Sequence, residues 1–348
     1  QGRRGLVISL AMRTLNILFC VMLLAGCVGD GVTFSPPDSF VADKGDIGQL
    51  FPDGVPVKDT GNKDKPTIYA CDTIDILFVI DNSGTMAQEQ TNLLSNFPKF
   101  ISAIEAITPP IKSYHVGVIS TDIGAGGTKP SGCTLNGDEG KLMHKPTGTG
   151  CAAAYPSYLT GPSATIAKDF SCIANLGTKG CGFEQQMEAA LVALTMQTYN
   201  TGFLRKNAPL AIIFITDEDD CSAKDLSIFD LNNATHGQAS TRCVRLDSLL
   251  HHTSRYVKAF KALKDRPERI VVAAITGPPA AVKLDSTVPI GMLPSCETTE
   301  LGKAYPGNRF ATLIKAFGDT GVQQSICQKD LWPALNAISK AINRACLK

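Results

Sequence analysis

Three short runs of the chain are so apolar that they leave little choice of fold. Ile74 to Ile80 (IDILFVI), Leu210 to Thr216 (LAIIFIT) and Ile270 to Thr276 (IVVAAIT) are β-branched and almost without polar alternation. A strand with one wet face alternates apolar and polar residues. A strand apolar throughout is buried on both faces, as in a parallel sheet covered by helices. Tyr114 to Ser120 (YHVGVIS) reads as a further strand. Between these runs the period changes. Leu93, Phe97, Phe100, Ile104 and Ile107 recur at helical spacing, and Met187, Leu191 and Leu194 share one helix face. Leu246 to Leu263 reads as one amphipathic helix, and Leu331, Leu335, Ile338, Ile342 and Cys346 form the stripe of the last. Pro98 predicts a kink, or a restart after Asn96.

Strands alternating with helices require right-handed crossovers and a mainly parallel sheet. The expected fold is therefore α/β over residues 67–348, a doubly wound sheet flanked by helices. Two irregular, cysteine-bearing insertions interrupt it, at 122–182 and 277–307. The first is long for a segment without regular structure, so cysteine staples are expected in it, with a short helix around Ser163 to Asn175. No internal repeat is evident.

The N-terminal part has a different character. Arg3, Arg4 and Arg13 precede an apolar run from Leu15 to Leu24, followed by Ala25-Gly26-Cys27. A basic region, a short apolar stretch and small residues before a cut describe a secretory signal peptide over 1–26. Met12 reads as the true start, which makes 1–11 a non-native extension. Leu24-Ala25-Gly26-Cys27 resembles the bacterial lipobox, which implies cleavage before Cys27, diacylation of its thiol and membrane attachment without a spanning helix. Val28 rather than Asp follows, resembling the pattern that sorts lipoproteins to the outer membrane of a Gram-negative envelope. Residues 27–66 are rich in Gly, Pro, Asp and Lys with no apolar period, and read as a flexible tether.

Twelve cysteines are present, and removing Cys20 with the signal and Cys27 with the lipid leaves ten. An even number in an exported chain reads as disulfides, here five. No C-x-x-C pair exists, which argues against a zinc–thiolate site. A formal net charge of +1 with no run of like charge argues against a nucleic-acid groove.

Chemistry concentrates where two strands end. In an open parallel sheet ligands bind beyond the carboxyl ends of the strands. One run leads into Asp81-Asn82-Ser83-Gly84-Thr85, another into Thr216-Asp217-Glu218-Asp219-Asp220. Carboxylates and hydroxyls are hard oxygen donors suited to a divalent cation, Mg²⁺ first, with Mn²⁺ or Ca²⁺ as alternatives. Asp81, Ser83 and Thr85 alternate in a turn for which Gly84 is expected to supply the bend. Asp217 would offset the repulsion between the ion and a nearby helix N-terminus. Alone, D-x-S-x-[ST] arises by chance about once in several chains of this length. Its place after a buried strand makes it specific.

At these residues the sequence resembles the von Willebrand factor A family, whose Rossmann-like fold carries an adhesion site with a D-x-S-x-S motif after its first strand. Asp81, Ser83 and Thr85 match the motif, and Asp217 matches the aspartate after a later apolar strand ending in Thr-Asp. The resemblance runs from about Cys71 to Cys346. It implies a bound cation with an open position for a partner's carboxylate. The family's loop threonine is missing: Gly180-Cys181-Gly182-Phe183-Glu184-Gln185 occupies its place, with Glu184 the candidate replacement, directly or through water. Some members join the two ends of the domain by a disulfide, which implies Cys71 with Cys346. Cys172 with Cys181 and Cys221 with Cys243 are further expected pairs.

The blander alternatives are specific. Asp81 or Ser83 can cap a helix, and Asp217 to Asp220 can form a cap cluster, Asp219 above all. Asp220 reads equally as a residue behind the ligands. His251 and His252 are adjacent and diverge on a helix, so they read as surface residues. The function expected is binding: a lipid-anchored envelope protein holding a cation and a protein partner in the envelope or outside the cell, with no nucleic acid. A haloacid-dehalogenase-like phosphatase is the rival, since D-x-D-G-T differs from this motif at one position. Ser83 cannot serve as its acid and base. A structural envelope protein with a stapling ion is the third reading.

Overall fold

A computed structural model describes residues 71–348 except Lys129, Ser131, Thr147, Gln197 and Leu301. The leader, the extension 1–11, the tether, Cys27 and residues 67–70 lie outside the described residues.

The apolar runs become the inner strands of one sheet. β1 (Thr73–Ile80), β2 (Ser113–Ser120), β3 (Leu159–Gly161), β4 (Leu210–Ile215) and β5 (Ile270–Thr276) are joined at the far edge by β8 (Gly321–Ser325), in the order β3-β2-β1-β4-β5-β8. All pairings are parallel except β2 with β3. A small antiparallel pair, β6 (Cys296–Thr298) with β7 (Gly302–Ala304), lies in the second insertion. The strand polarity explains the composition. On β1, Ile74, Ile76, Phe78 and Ile80 enter one core while Leu77 and Val79 enter the other, so no position is left for a polar residue facing water.

Each core has its own helices. The first is closed by α1 (Ala87–Glu105), α2 (Ile166–Ile173) and α7 (Trp332–Cys346), where Phe78, Phe97 and Phe170 meet ring to ring. The second is closed by α3 (Gln186–Thr195), α5 (Thr253–Lys261) and α6 (Asn308–Lys315), through residues such as Met187, Tyr256, Phe260 and Phe310. Among the described residues no helix is long and apolar enough to cross a membrane.

One polar residue interrupts β1 and is used structurally. Asp75 is fully buried, and Arg205 donates to both its oxygens at 2.7 Å, from its backbone N–H and from Nε. Lys264 Nζ and His115 Nδ1 stand 3.7 and 3.6 Å away. This cluster ties the start of β1 to the loop ahead of β4, at the end of the sheet opposite Asp81.

Two local expectations change. The helix does not restart after Asn96 but runs as one element through Pro98, which is exposed. The helix expected over 246–263 is only α5; before it come α4 (Arg242–Arg245) and a 3₁₀ turn, Asp247–Leu249. There Leu246, Leu249 and Leu250 pack on a third small core with Phe183, Ile228 and Phe229.

Five disulfides form: Cys71–Cys346, Cys133–Cys181, Cys151–Cys172, Cys221–Cys243 and Cys296–Cys327. The first and fourth match the expected pairs, and the expected Cys172–Cys181 pair is replaced by two others. Gly132 packs against the backbone of Gly180, which sets Cys133 beside Cys181. α2 turns Cys172 toward the 148–151 turn, where Cys151 waits.

Candidate functional site

Asp81 leaves β1 fully buried, and its two oxygens are held differently. Oδ1 accepts the Ser83 N–H at 2.7 Å, an Asx turn that makes the bend. Oδ2 accepts the Thr216 hydroxyl at 2.7 Å, and that hydroxyl accepts Gln186 Nε2 at 3.0 Å. Gln90 Nε2 donates to the Asp81 carbonyl at 2.9 Å, which fixes α1 against the turn. The bend does not depend on Gly84: its φ is not positive, and a Cβ there would meet nothing within 4 Å. The glycine that the site does need is Gly180. It donates to the Asn82 carbonyl at 2.8 Å, and a Cβ on it would stand 2.1 Å from Asn82 Oδ1.

Ser83 is buried and Thr85 exposed, with their hydroxyls 3.5 Å apart. The Thr85 hydroxyl bonds the Asp217 carboxylate. Asp217 follows β4, the neighbour of β1, and the Tyr305 N–H donates to its carbonyl at 2.8 Å. The fold thus brings Asp81, Ser83, Thr85 and Asp217 to one place. That place is at the end of β1, which has β2 on one side and β4, β5 and β8 on the other.

Three more carboxylates share this field. Glu184, 2% exposed, lies on the loop entering α3, and its side chain hydrogen-bonds Glu218. Glu218 is half-buried, and Glu89 in the first turn of α1 is buried. Desolvation, reinforced by their mutual repulsion, raises every one of them. Glu89 is pushed up to about 7 by burial and the charge of Asp81; Glu218 reaches about 7 by burial and Asp81, against the bond from Glu184. Glu184 and Asp217 are raised well above the carboxylate range by burial first and then by their acidic neighbours, and burial also raises Asp81. Glu89 and Glu218 escape the sequence reading. Glu89 looks like an ordinary favourable charge at a helix start, and Glu218 like a spacer between aspartates.

Asp219 and Asp220 are occupied elsewhere. Asp219 caps α6, accepting the N–H groups of Asn308 and Arg309 at 3.1 Å. Burial, partly opposed by those bonds, pushes Asp219 up to about 7. Asp220 Oδ1 accepts Met187 N–H at 2.8 Å and the Ser222 hydroxyl at 2.7 Å, while Oδ2 takes Arg309 Nη2 at 3.1 Å. It therefore bolts α3 to the acidic turn and has no oxygen to spare for a ligand. His252 caps α5 through Ser254 N–H, and His251 lies ahead of the helix rather than on it.

Whether these residues fit a cation is answered by atoms left without partners. Eight buried side-chain oxygens and nitrogens among the described residues make no hydrogen bond. Six belong to this region: Asn82 Oδ1, Glu89 Oε2, Thr121 Oγ1, Glu184 Oε1, Gln186 Oε1 and Asp217 Oδ1. Orphaned buried oxygens are costly unless something cationic or donating meets them. None of the five carboxylates pairs with a Lys, Arg or His among the described residues. Among the described residues no three His, Cys, Asp or Glu side chains converge as a ready cage either. The donor set is oxygen only, part carboxylate and part hydroxyl, which suits a hard divalent ion that keeps some water. A cavity of about 290 Å³, lined among others by Asn82, Asp138, Lys145, Asn175, Lys179 and Gly180, opens beside Asn82.

Comparison with known protein families and with curated proteins finds no match. Among solved structures, the chain is similar to proximal thread matrix protein 1 of the mussel byssus, with TM-score 0.32 and 10% identity over 80% of this chain and 47% of that one. It is also similar to the pilus adhesin SpaC from Lactobacillus rhamnosus GG in an open conformation, with TM-score 0.38 and 10% identity over 79% of this chain and 30% of that one. A third is the human COPII-coat protein Sec24c, with TM-score 0.35 and 9% identity over 80% of this chain and 33% of that one. The chain spans less than half the length of each.

Proposed function

We propose that this chain is a von Willebrand factor A-type binding domain, doubly wound, that holds a divalent cation at Asp81, Ser83, Thr85 and Asp217. In this reading it hangs from a lipid at Cys27 in a Gram-negative outer membrane and binds another protein. The observation that carries it is Asp217 Oδ1: buried, unpartnered, and opposite a turn whose Ser83 and Thr85 hydroxyls stand 3.5 Å apart. Asp81 and Asp217 would supply charge, the two hydroxyls neutral oxygen, and Glu184 the place of the family's loop threonine. When bound, the cation supplies a point of positive charge for an oxygen of the partner. The chain's own work is to exclude water behind that point, with Thr216 and Gln186 fixing Asp81 and the Tyr305 N–H fixing Asp217.

The test is capture of partners from envelope extracts by the full chain in Mg²⁺. Proteins retained in Mg²⁺, released by EDTA and missed by Asp81→Ala support the reading. An identical captured set in all three conditions contradicts it. Turnover of p-nitrophenyl phosphate abolished by Asp81→Asn would favour the phosphatase instead.

A further inference from the structure

The formal net charge is only +1, yet the fold gathers cations at one place. It is the end of the sheet opposite Asp81, where the chain enters β1. A cavity of about 240 Å³ opens there, and its lining includes Cys71, Asp72, Asn207, Arg266, Arg269 and Lys348. Two separate devices assemble the three cations. Arg266 precedes and Arg269 ends the 3₁₀ turn Pro267–Arg269, which leads into β5. The Arg269 N–H donates to the Arg266 carbonyl at 3.0 Å, so both guanidiniums start from one tight turn and line the same cavity. Lys348 arrives just past the end of α7, and the Cys71–Cys346 disulfide holds that stretch against the start of β1.

The fold makes no other use of these charges. Among the described residues no carboxylate stands within ion-pair distance of Arg266, Arg269 or Lys348. Asp72, the acid of the lining, is exposed and stands 3.5 Å from Lys112 Nζ. Arg205 and Lys264, at the same end of the sheet, are committed to Asp75. Burial, and then the charge of Arg266, hold the Arg269 guanidinium below its ordinary value, as expected of like charges kept close.

Two guanidinium forks and an ammonium around one small cavity suit an anion with several oxygens. Each fork offers paired, parallel donors. One carboxylate edge satisfies a single fork, whereas a phosphate group has oxygens for both. The position favours a source. Cys71 is part of the cavity wall, so the segment leading from Cys27 meets the domain here. With Cys27 acylated, a bilayer surface is tethered to this end, and its phosphates reach the cavity at high effective concentration.

We propose that Arg266, Arg269 and Lys348 form a phosphate pocket that takes the headgroup of an anionic lipid and docks this end of the domain on the bilayer. The lipid source rests on the proposed anchor at Cys27, whereas the pocket shares no residue with the cation site. Docked in this way, the domain turns its Asp81 end away from the membrane.

The experiment is flotation of the full chain carrying Cys27→Ser, which removes the acyl chain, with vesicles of phosphatidylcholine alone or mixed with phosphatidylglycerol. Every variant shares the apolar leader, so differences between variants report the folded part. Binding is expected to rise with phosphatidylglycerol and to fall with salt. Arg266→Gln, Arg269→Gln and Lys348→Gln are each expected to weaken it about fivefold. Lys224→Gln with Lys283→Gln, which removes two exposed cations from loops after β4 and β5, is expected to leave it unchanged. Equal binding by the parent chain and by Arg266→Gln with Arg269→Gln overturns the pocket, as does an equal loss in the Lys224 and Lys283 variant. Calorimetric titration with inorganic phosphate separates the sources. Saturable phosphate binding lost in the double arginine variant, with no vesicle binding, keeps the pocket and overturns the lipid. Binding of neither overturns both. Mass spectrometry of the membrane-extracted chain reads acylation of Cys27 separately, so an unacylated Cys27 beside intact vesicle binding sinks the anchor and spares the pocket.

Discussion

Stripping the cation is expected to make the folded domain lose stability as pH rises from about 4.5 to about 7. The cause lies in Glu89, which burial and the charge of Asp81 push from 4.5 to about 7. A carboxylate raised in the fold holds its proton there longer than in the unfolded chain. Its contribution is therefore fully present below the unfolded value and is lost as pH rises through the folded one. For a shift of this size the loss by neutral pH is at most about 3 kcal/mol, since one unit corresponds to roughly 1.4 kcal/mol. Glu218, raised by burial and the same aspartate, acts in the same direction over the same window. A cation replaces the proton as the counter-charge. At a hundredfold excess over its dissociation constant it adds about 2.7 kcal/mol, roughly 5 °C or more in Tm for a domain of this size. The assay is calorimetric melting of the full chain with disulfides intact, in EDTA or in Mg²⁺, at about pH 5 and about pH 7.5. The gap between EDTA and Mg²⁺ is expected to be several degrees at the higher pH and to shrink at the lower, where protons already neutralise the cluster. Melting temperatures unchanged by chelator at both pH values would refute the reasoning.

Other positions give independent checks. Gly180→Ala places a methyl on the Asn82 side chain, 2.1 Å from Oδ1; a loss of about 1–3 kcal/mol is expected by denaturant titration, together with weaker Mg²⁺ binding. Gly84→Ala, whose Cβ meets nothing within 4 Å, is expected to melt like wild type. Asp75→Ala leaves Arg205 and Lys264 without their shared carboxylate and is expected to cost about 3–5 kcal/mol in chemical unfolding, without changing Mg²⁺ affinity in whatever fraction stays folded. Removing the Cys133–Cys181 bridge, which spans 48 residues, is expected to cost about 2–4 kcal/mol and to weaken metal binding measured calorimetrically, because it frees the loop bearing Glu184.

The inner sheet was legible because its strands are buried on both faces, which leaves an uninterrupted apolar signature in β1, β4 and β5. β8 had no such signature. Gly321–Ser325 (GVQQS) is an edge strand with only Val322 buried, so its sequence looks like a loop. β3 was hidden for a similar reason: three residues at the opposite edge, antiparallel, inside a cysteine-rich stretch. At the site, Asp81 and Asp217 could be found because both follow apolar strands, and position after a strand end is a sequence property. Glu89 could not, because its place beside Asp81 depends on how α1 docks, which Gln90 fixes by a bond to the Asp81 carbonyl. Asp220 was open to two readings for the same kind of reason. Only the fold places Met187, Ser222 and Arg309 around it and so makes it a bolt. Cysteine pairing followed the same rule. The bridge joining the domain's ends was expected, whereas Cys133 and Cys151 found their partners through loop packing that no spacing encodes.

The most direct test of the central claim is calorimetric titration of Mg²⁺ into the full chain and into Asp217→Asn, with circular dichroism to establish that both are folded. Saturable binding by the wild type, lost in a folded Asp217→Asn, is the predicted result. A folded variant that binds Mg²⁺ as the wild type does, or a wild type that binds none, would contradict a cation site built on Asp81 and Asp217.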